Sequence, residues 1–508
     1  MKQLVSSSIA APGFYGLNTQ ESSVTLSSGY ALQADNCVID SEGRLGARQG
    51  HVYQTTTGGT ASSIVGMHDF VGHIGHLDYI SWGNGKIYKG LGTLTDLNVN
   101  ALSGVTITAN DWQAASLANN VYLAQAGHPM IKVNSSLVAS VHDTSSSAPH
   151  PVFSWVNSAY GRLWAGGTPT NKYTLYISDL LTGEFHGGSF AVLDFREIWT
   201  NGGDEIVSVA GFNGRIIVFC KRCVVILNDT TADDLEINTN HIRVVEILEN
   251  VGCVSKDSIQ AVGDDIYFLS NAGLRSLNRV IQEKSNPLAD LSINVRDDLV
   301  KIINTYSNDN VTSIYSAANA FYLLIFPTSK LIYCFDTRGR LENGGLRVTK
   351  WVDSPILSGL SAFDGTLYLG LVDGIAKYSS YQDNGVSYYL AYRTNYFDFD
   401  QPTVNKILKS VGVTVIGGSG QNFSVKVGTD YTDQPRSYNR SVKQSSTSEY
   451  DVAEYAVAEY SGGGLTDRIK VAVGGQGSVL QLGFEAYING DQLSIQKFDV
   501  YVKQGRTN

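Results

Sequence analysis

The chain has 508 residues, with 52 Gly and 28 Tyr against 10 Pro, 17% charged residues and a formal net charge of −10. This describes many turns joining amphipathic strands, excludes long disorder and does not suit a helical bundle; at this length more than one domain is expected. No apolar run reaches the ~20 residues that span a bilayer, and the opening MKQLVSSSIAAPGFYG lacks the apolar core of a secretion signal, so synthesis and folding in a cytoplasm are expected.

Residues 1–55 are punctuated by Gly and Pro and read as an arm, with a short helical turn expected near Ala31 to Asn36 and a turn at Gly43-Arg44-Leu45. With too few apolar positions to fold alone, the arm is expected to pack with the far end of the chain.

Residues 56–385 carry a recurring unit whose cleanest copy is VAGFNGRIIVFCKRCVVIL, residues 209 to 227. An apolar strand runs to Phe212, Asn213-Gly214 supplies a tight primed turn, and Ile216 to Phe219 return. A second turn at Lys221-Arg222 starts a third strand. Related copies are WGNGKIYKG from Trp82, VGDDIYFLSNAGLRSL from Val262 and FDGTLYLGLVDGIAKY from Phe363. Turns at Asn84-Gly85, Asn119-Asn120, Tyr160-Gly161, Asn213-Gly214, Asp264-Asp265, Asn319-Ala320 and Asp364-Gly365 are 35, 41, 53, 51, 55 and 45 residues apart. Such a period, made of strands, predicts a β-propeller of six or seven blades, against the alternative of unrelated β-sandwiches.

Several side chains in this region invite a chemical reading. His68, His73 and His76 lie together, yet no carboxylate or cysteine stands at a fitting offset, and surface or inter-blade positions are the plainer account. Cys37, Cys220, Cys223, Cys253 and Cys334 are five and scattered. Cys220 and Cys223 form CKRC without the second pair of a zinc ribbon or the helix of a thioredoxin motif, so they read as residues flanking a turn. The acid pairs Asp233-Asp234, Asp264-Asp265 and Asp297-Asp298 fit a turn and the short helix SINVRDDLVKIINTY better than a glycosidase. No GxSxG, GxxxxGK[ST], HExxH or EF-hand signature occurs, and no enzyme activity, cofactor or metal is expected. SSSAPHP, residues 145–151, reads as a loop that joins two blades or carries an exposed protrusion.

From residue 386 the repeat ends and six longer strands follow, LAYRTNYFDF, KSVGVTVIG, FSVKVGTD, DRIKVAVGG, SVLQLGFEAYI and LSIQKFDVYVK. Their alternation predicts a C-terminal β-sandwich over 386–508. Residues 431–464 form a polar, tyrosine-rich excursion too long for a simple connection.

The order PGFYGLN, Gly29-Tyr30-Ala31, DNCVID and GRLGARQG resembles the start of the tail nozzle proteins of short-tailed bacteriophages and, more distantly, the hub proteins of related tails. The passage from Tyr160 to Trp164 through YTLYISDLLTGEFH, with Ser178-Asp179 some 30 residues before the hydrophobic hairpin, is similar to that family's middle region. The resemblance implies a structural protein of the virion tail, assembled in the host cytoplasm. It implies a hexameric ring that forms the distal DNA conduit and meets an adaptor ring and tail fibres or spikes. It also implies a platform made of the arm and the sandwich, with the 431–464 excursion against a neighbouring subunit. The alternative is a binding propeller, such as a carbohydrate- or receptor-recognising fibre or lectin-like protein. Such a protein should repeat an aromatic residue at one offset in most blades, whereas Trp82, Trp112, Trp155, Trp164, Trp199 and Trp351 share none.

Charge separates gripping DNA from conducting it. Lys+Arg against Asp+Glu is 3 against 4 in residues 1–50, 22 against 31 in 51–385 and 12 against 12 in 386–508. A protein that grips DNA clusters cations against phosphates, whereas an acidic wall lets a duplex pass without tight binding. The densest acidic cluster, Asp229, Asp233, Asp234 and Glu236, supplies the candidate channel-lining residues.

Overall fold

In a computed structural model of the chain, Asn213 and Gly214 take φ of 48° and 73°, so the strands Ile206–Phe212 and Arg215–Cys220 pair antiparallel with Phe212 opposite Arg215. Two left-handed residues give the turn a twist that matches its strands. Lys221-Arg222 then leads into Cys223–Asp229, and Ile242–Glu249 completes a four-stranded blade. The structure describes residues 4–507 apart from 24, 56–62, 72–76, 103–106, 108–109, 143–149, 187–188, 200–201, 230–238, 284–289, 306–309, 433 and 444–465.

Seven hairpin turns among the described residues organise the middle of the chain, four of them with two successive left-handed residues. Blade 1 runs from Gly66–Val71 to Thr95–Asp96, blade 2 from Gln113–Leu117 to Ala139–Val141, and blade 3 from Trp155–Ala159 to Ala191–Asp194. Blade 4 is the sheet above. Blade 5 has three strands, Gln260–Val262, Asp265–Ser270 and Gly273–Ser276, with the helix Leu277–Glu283 following the third. A closing blade, from Ile356–Ser361 to Gly374–Tyr378, takes His51–Tyr53 from the arm as its fourth strand. These six small sheets form a six-bladed propeller arrangement. Between blade 5 and the closing blade stand Thr312–Ser316, Phe321–Phe326, Leu331–Arg340 and Leu346–Trp351, the end of a ten-stranded sheet that runs on into the platform. First strands touch one another in succession from blade 5 through the bridging strands and the closing blade to blades 1, 2, 3 and 4, which makes them the inner ones.

Two turns fall one residue earlier than the sequence placed them. Ala118 and Asn119 carry the positive φ values of blade 2, and Gly263 that of blade 5, because Leu117 pairs with Asn120 and Val262 with Asp265. The predicted helix over SINVRDDLVKIINTY is present as Arg296–Thr305. The helical turn expected near Ala31 to Asn36 is instead the strand Tyr30–Asp35. It pairs with Tyr388–Phe397, so tertiary pairing overrides local preference.

The arm and the C-terminal strands share both sheets of one sandwich. In one sheet Leu493–Thr507 pairs with Val404–Gly417, with the arm strand Leu4–Ala10 and with the arm strand Leu45–Ala47. In the other, Tyr30–Asp35 lies beside Tyr388–Phe397, followed by Leu480–Ile488, Asn422–Thr429 and Arg436–Ser441. Phe14, fully buried, sits between them with ring centroids 6.0 Å from Tyr392 and 6.3 Å from Phe498. Gly16 explains part of PGFYGLN. At φ 82° it pairs with both Val348 and Tyr30, and a Cβ there would stand 2.4 Å from the Val348 carbonyl oxygen. The excursion after residue 430 is in part regular, since Arg436–Ser441 pairs with Asn422–Thr429; its remainder, 444–464, lies outside the described residues.

Arg48 joins arm, closing blade and platform. Its guanidinium donates to both Asp383 carboxylate oxygens at 2.9 and 2.7 Å and to Asn36 Oδ1 at 3.2 Å, and lies 4.1 Å from the Tyr388 ring centroid. Burial alone would raise the Asp383 pKa, but hydrogen bonds from Arg48 and His51 outweigh it and hold the carboxyl well below its usual range. The pair therefore stabilises the fold above the unfolded carboxyl pKa, and that contribution is lost as pH falls through the lower folded value. Removing one partner of such a pair costs roughly 3–5 kcal/mol.

Deleting residues 1–50 removes two partners of Leu493–Thr507 and the Phe14 ring. Hydrogen exchange should show loss of amide protection across 404–417 and 493–507. Protection at the full-length level would mean that the sandwich folds without the arm.

Candidate functional site

Asp229 ends the third strand of blade 4, pairs with Ile242 and is 4% exposed. A carboxylate this buried presents almost no surface on the single chain. Asp233, Asp234 and Glu236 lie in 230–238, outside the described residues. His73 and His76 also lie outside the described residues. His68 does not: its Nε2 is 2.7 Å from Ser116 Oγ, and burial lowers its pKa, so it is neutral near pH 7.

His68 belongs to the wall of an axial cavity of about 210 Å³, reached by the inner strands of blades 1, 2 and 5 and of the two units that follow. Its charged groups are Asp111, Lys256 and Asp257. Lys256 Nζ lies 2.9 Å from Asp111 Oδ1, 3.1 Å from the Asp111 carbonyl and 3.4 Å from that of Ser154, so it ties blade 5 to blades 2 and 3. Burial pushes the Asp257 carboxyl up to about 6; Lys256 opposes this and Asp111 adds to it. The cavity holds one lysine beside two carboxylates, which suits a small polar guest better than an anionic polymer.

The five cysteines are free and buried. Cys220 and Cys223 flank the Lys221-Arg222 turn, as their spacing predicts, and Cys223 Sγ stands 3.4 Å from Asp204 Oδ2. Its hydrogen bond to Cys223, together with burial, raises the Cys220 pKa far above that of a free thiol. It stays protonated, so no reactive thiolate forms there. Ser178 and Asp179 serve blade 3. Ser178 Oγ accepts the Leu163 N–H at 2.8 Å, and Asp179 Oδ1 accepts the Ser189 N–H at 3.2 Å. All six tryptophans are buried, none above 8% exposure, so none is a surface stacking platform. Sequence spacing missed a cluster that blade packing creates from His142, His150, Glu184 and His186. Residues 36 positions apart meet there, and no local pattern announces it.

No family model matches the chain, and no curated protein matches it. Among solved structures, the extracellular domain of BT4673 from B. thetaiotaomicron is similar at TM-score 0.41 and 10% identity, over 74% of this chain and 45% of that one. The chain thus spans less than half of that protein's length. The WD40 β-propeller domain of Doa1 is similar at TM-score 0.37 and 12% identity, over 65% of this chain and 96% of that one. YCF48 from Cyanidioschyzon merolae gives 0.38 and 10%, over 66% and 99%. The fold is a β-propeller with a two-sheet platform, on the strength of the sheet order given above.

Because the Asp257 pKa is raised, its protonated form is favoured in the folded state, and the folded protein loses stability as pH rises through about 6. Asp257→Asn removes that dependence. The variant should melt higher than the parent at pH 7.5, with the gap closing towards pH 4 in calorimetric scans. A gap that is constant with pH would assign the effect to packing instead.

Proposed function

We propose that the chain is a structural ring subunit of a short-tailed phage tail, a nozzle-type protein of the virion. Copies form the distal conduit for the genome and meet an adaptor ring and tail fibres. The observation that supports this best is the interlocked platform. The segment carrying PGFYGLN, DNCVID and GRLGARQG is threaded through both sheets of the C-terminal sandwich, as the resemblance implies, and also closes the propeller. A platform bonded at both chain ends to a propeller transmits load between neighbours without a hinge of free chain. The reading assigns no catalysis and no cofactor to the protein.

A second reading, a binding propeller, draws on the polar axial cavity. It loses its simplest lectin form because the tryptophans are core residues, leaving Phe363 and Tyr487, 80% and 66% exposed, as the most exposed aromatics among the described residues.

Ring formation is checked by native mass spectrometry and electron microscopy of the full chain with and without its adaptor. The parent should give a closed ring, hexameric by the resemblance. Removing 444–464 while keeping the strand Arg436–Ser441 should leave folded monomers. Rings of the shortened chain would show that the excursion is not the contact surface.

A conduit also predicts how the protein treats DNA. The isolated protein should show no measurable duplex binding at moderate salt, and changing Asp233, Asp234 and Glu236 to Lys should slow genome ejection. Asp229 is left unchanged because a lysine at a buried strand end would test folding instead. Tight, salt-sensitive binding by the parent protein would contradict the acidic-wall account.

A further inference from the structure

The geometry points to a zinc-class metal site between blades 2 and 3, formed by His142, His150 and Glu184, whose donor atoms lie within 4.8 Å of one another, with His186 alongside. This goes beyond the nozzle reading and does not depend on it. His142 directly follows Ala139–Val141, the last strand of blade 2, and His150 lies in the link to blade 3. Glu184 and His186 lie in blade 3, between Thr174–Ile177 and Ala191–Asp194. Glu184 Oε2 is 3.9 Å from His142 Nε2, 3.9 Å from His150 Nε2 and 3.9 Å from His186 Nδ1. His150 Nε2 and His186 Nδ1 are 3.4 Å apart.

Those distances decide between two accounts. A carboxylate hydrogen-bonded to an imidazole sits near 2.8 Å, and 3.9 Å from each of three nitrogens is too long for that. A tetrahedral zinc ion holds nitrogen and oxygen donors at about 2.0–2.1 Å, which sets them roughly 3.3 to 3.5 Å from one another. The oxygen therefore needs to approach each nitrogen by about half an ångström. Two imidazoles and one carboxylate suit zinc and its transition-metal neighbours, whereas magnesium and calcium prefer oxygen shells. With three protein ligands the fourth position is left to water or to His186, whose Nδ1 stands 3.4 Å from His150 Nε2, and the ion's role is to cross-link the blades.

The loop bearing Glu184 is already held in place. The Tyr122 hydroxyl donates to the Thr182 carbonyl at 3.1 Å, and the Asp179 N–H donates to the Glu184 carbonyl at 2.8 Å. The Tyr122 ring stands edge-on to His142 at 4.9 Å, and the Phe185 ring edge-on to His150 at 5.2 Å. Two contacts are exchanged when an ion enters. His142 Nε2 donates to the Gly183 carbonyl at 2.9 Å and must change tautomer, its proton passing to Nδ1, for Nε2 to meet the ion as neutral imidazole, and His150 Nε2 releases the Phe185 N–H that it accepts at 3.1 Å. The ion then cross-links two blades through side chains that neither blade supplies alone.

The test uses the untagged full-length chain, stripped with chelator and titrated with zinc, cobalt and magnesium chloride. Expected are one zinc per chain, visible absorption of tetrahedral cobalt, and a higher melting temperature with zinc but not with magnesium. Glu184→Gln, which keeps the loop's size and shape, and His150→Ala should each weaken zinc binding at least tenfold, with circular dichroism unchanged for the former. Cys220→Ser/Cys223→Ser controls for the thiol pair beside Asp204, the other group of donors in the described residues. The proposal is overturned if the parent chain binds no stoichiometric zinc, or if binding persists in Glu184→Gln and His150→Ala, or if it is lost only in the cysteine variant.

Discussion

The buried pair of Arg48 and Asp383 is the contact on which the two halves of the molecule depend. A guanidinium with this little solvent is stable only if its donors are met, and Asp383, Asn36 and the Gln49 carbonyl meet them from the arm and from the end of the closing blade. The Tyr388 ring covers it from the first long strand of the platform. Two parts of the chain, 335 residues apart at the ion pair, thus converge on one cation. A lysine could not substitute, because one ammonium cannot satisfy a bidentate carboxylate and an amide oxygen in one plane.

Ring closure follows from the same place. Three residues after Arg48 the chain enters the closing blade as His51–Tyr53, and at Asp383 it leaves that blade for the platform. A propeller whose last blade borrows a strand from near the N-terminus cannot open without breaking both that pairing and the ion pair. The bridging strands add a second tie, since Leu346–Trp351 is hydrogen-bonded to the arm at Gly16.

Chemistry in the described residues collects where blades meet. Lys256 spans blades 5, 2 and 3 at the axis, and the histidine and glutamate cluster spans blades 2 and 3. Within a blade the side chains alternate between neighbours and are used for packing. Polar groups converge at the seams, where the links and turns of one blade approach those of the next. That is why the axial wall and the inter-blade cluster are the places to look for a guest.

The sequence by itself determined the propeller, because period and turn chemistry are local: Asn-Gly and Asp-Gly steps set φ, and alternating apolar residues set which face is buried. It also located the six C-terminal strands and the helix after Ser292. Tertiary structure alone decided the rest. Tyr30–Asp35 became a strand because its partner is more than 350 residues away, and Asp229 became a core residue because strand Ile242–Glu249 covers it. The four side chains of the inter-blade cluster carry no shared spacing, since blade stacking brings them together. Local rules fix what a segment is; only packing fixes what it touches.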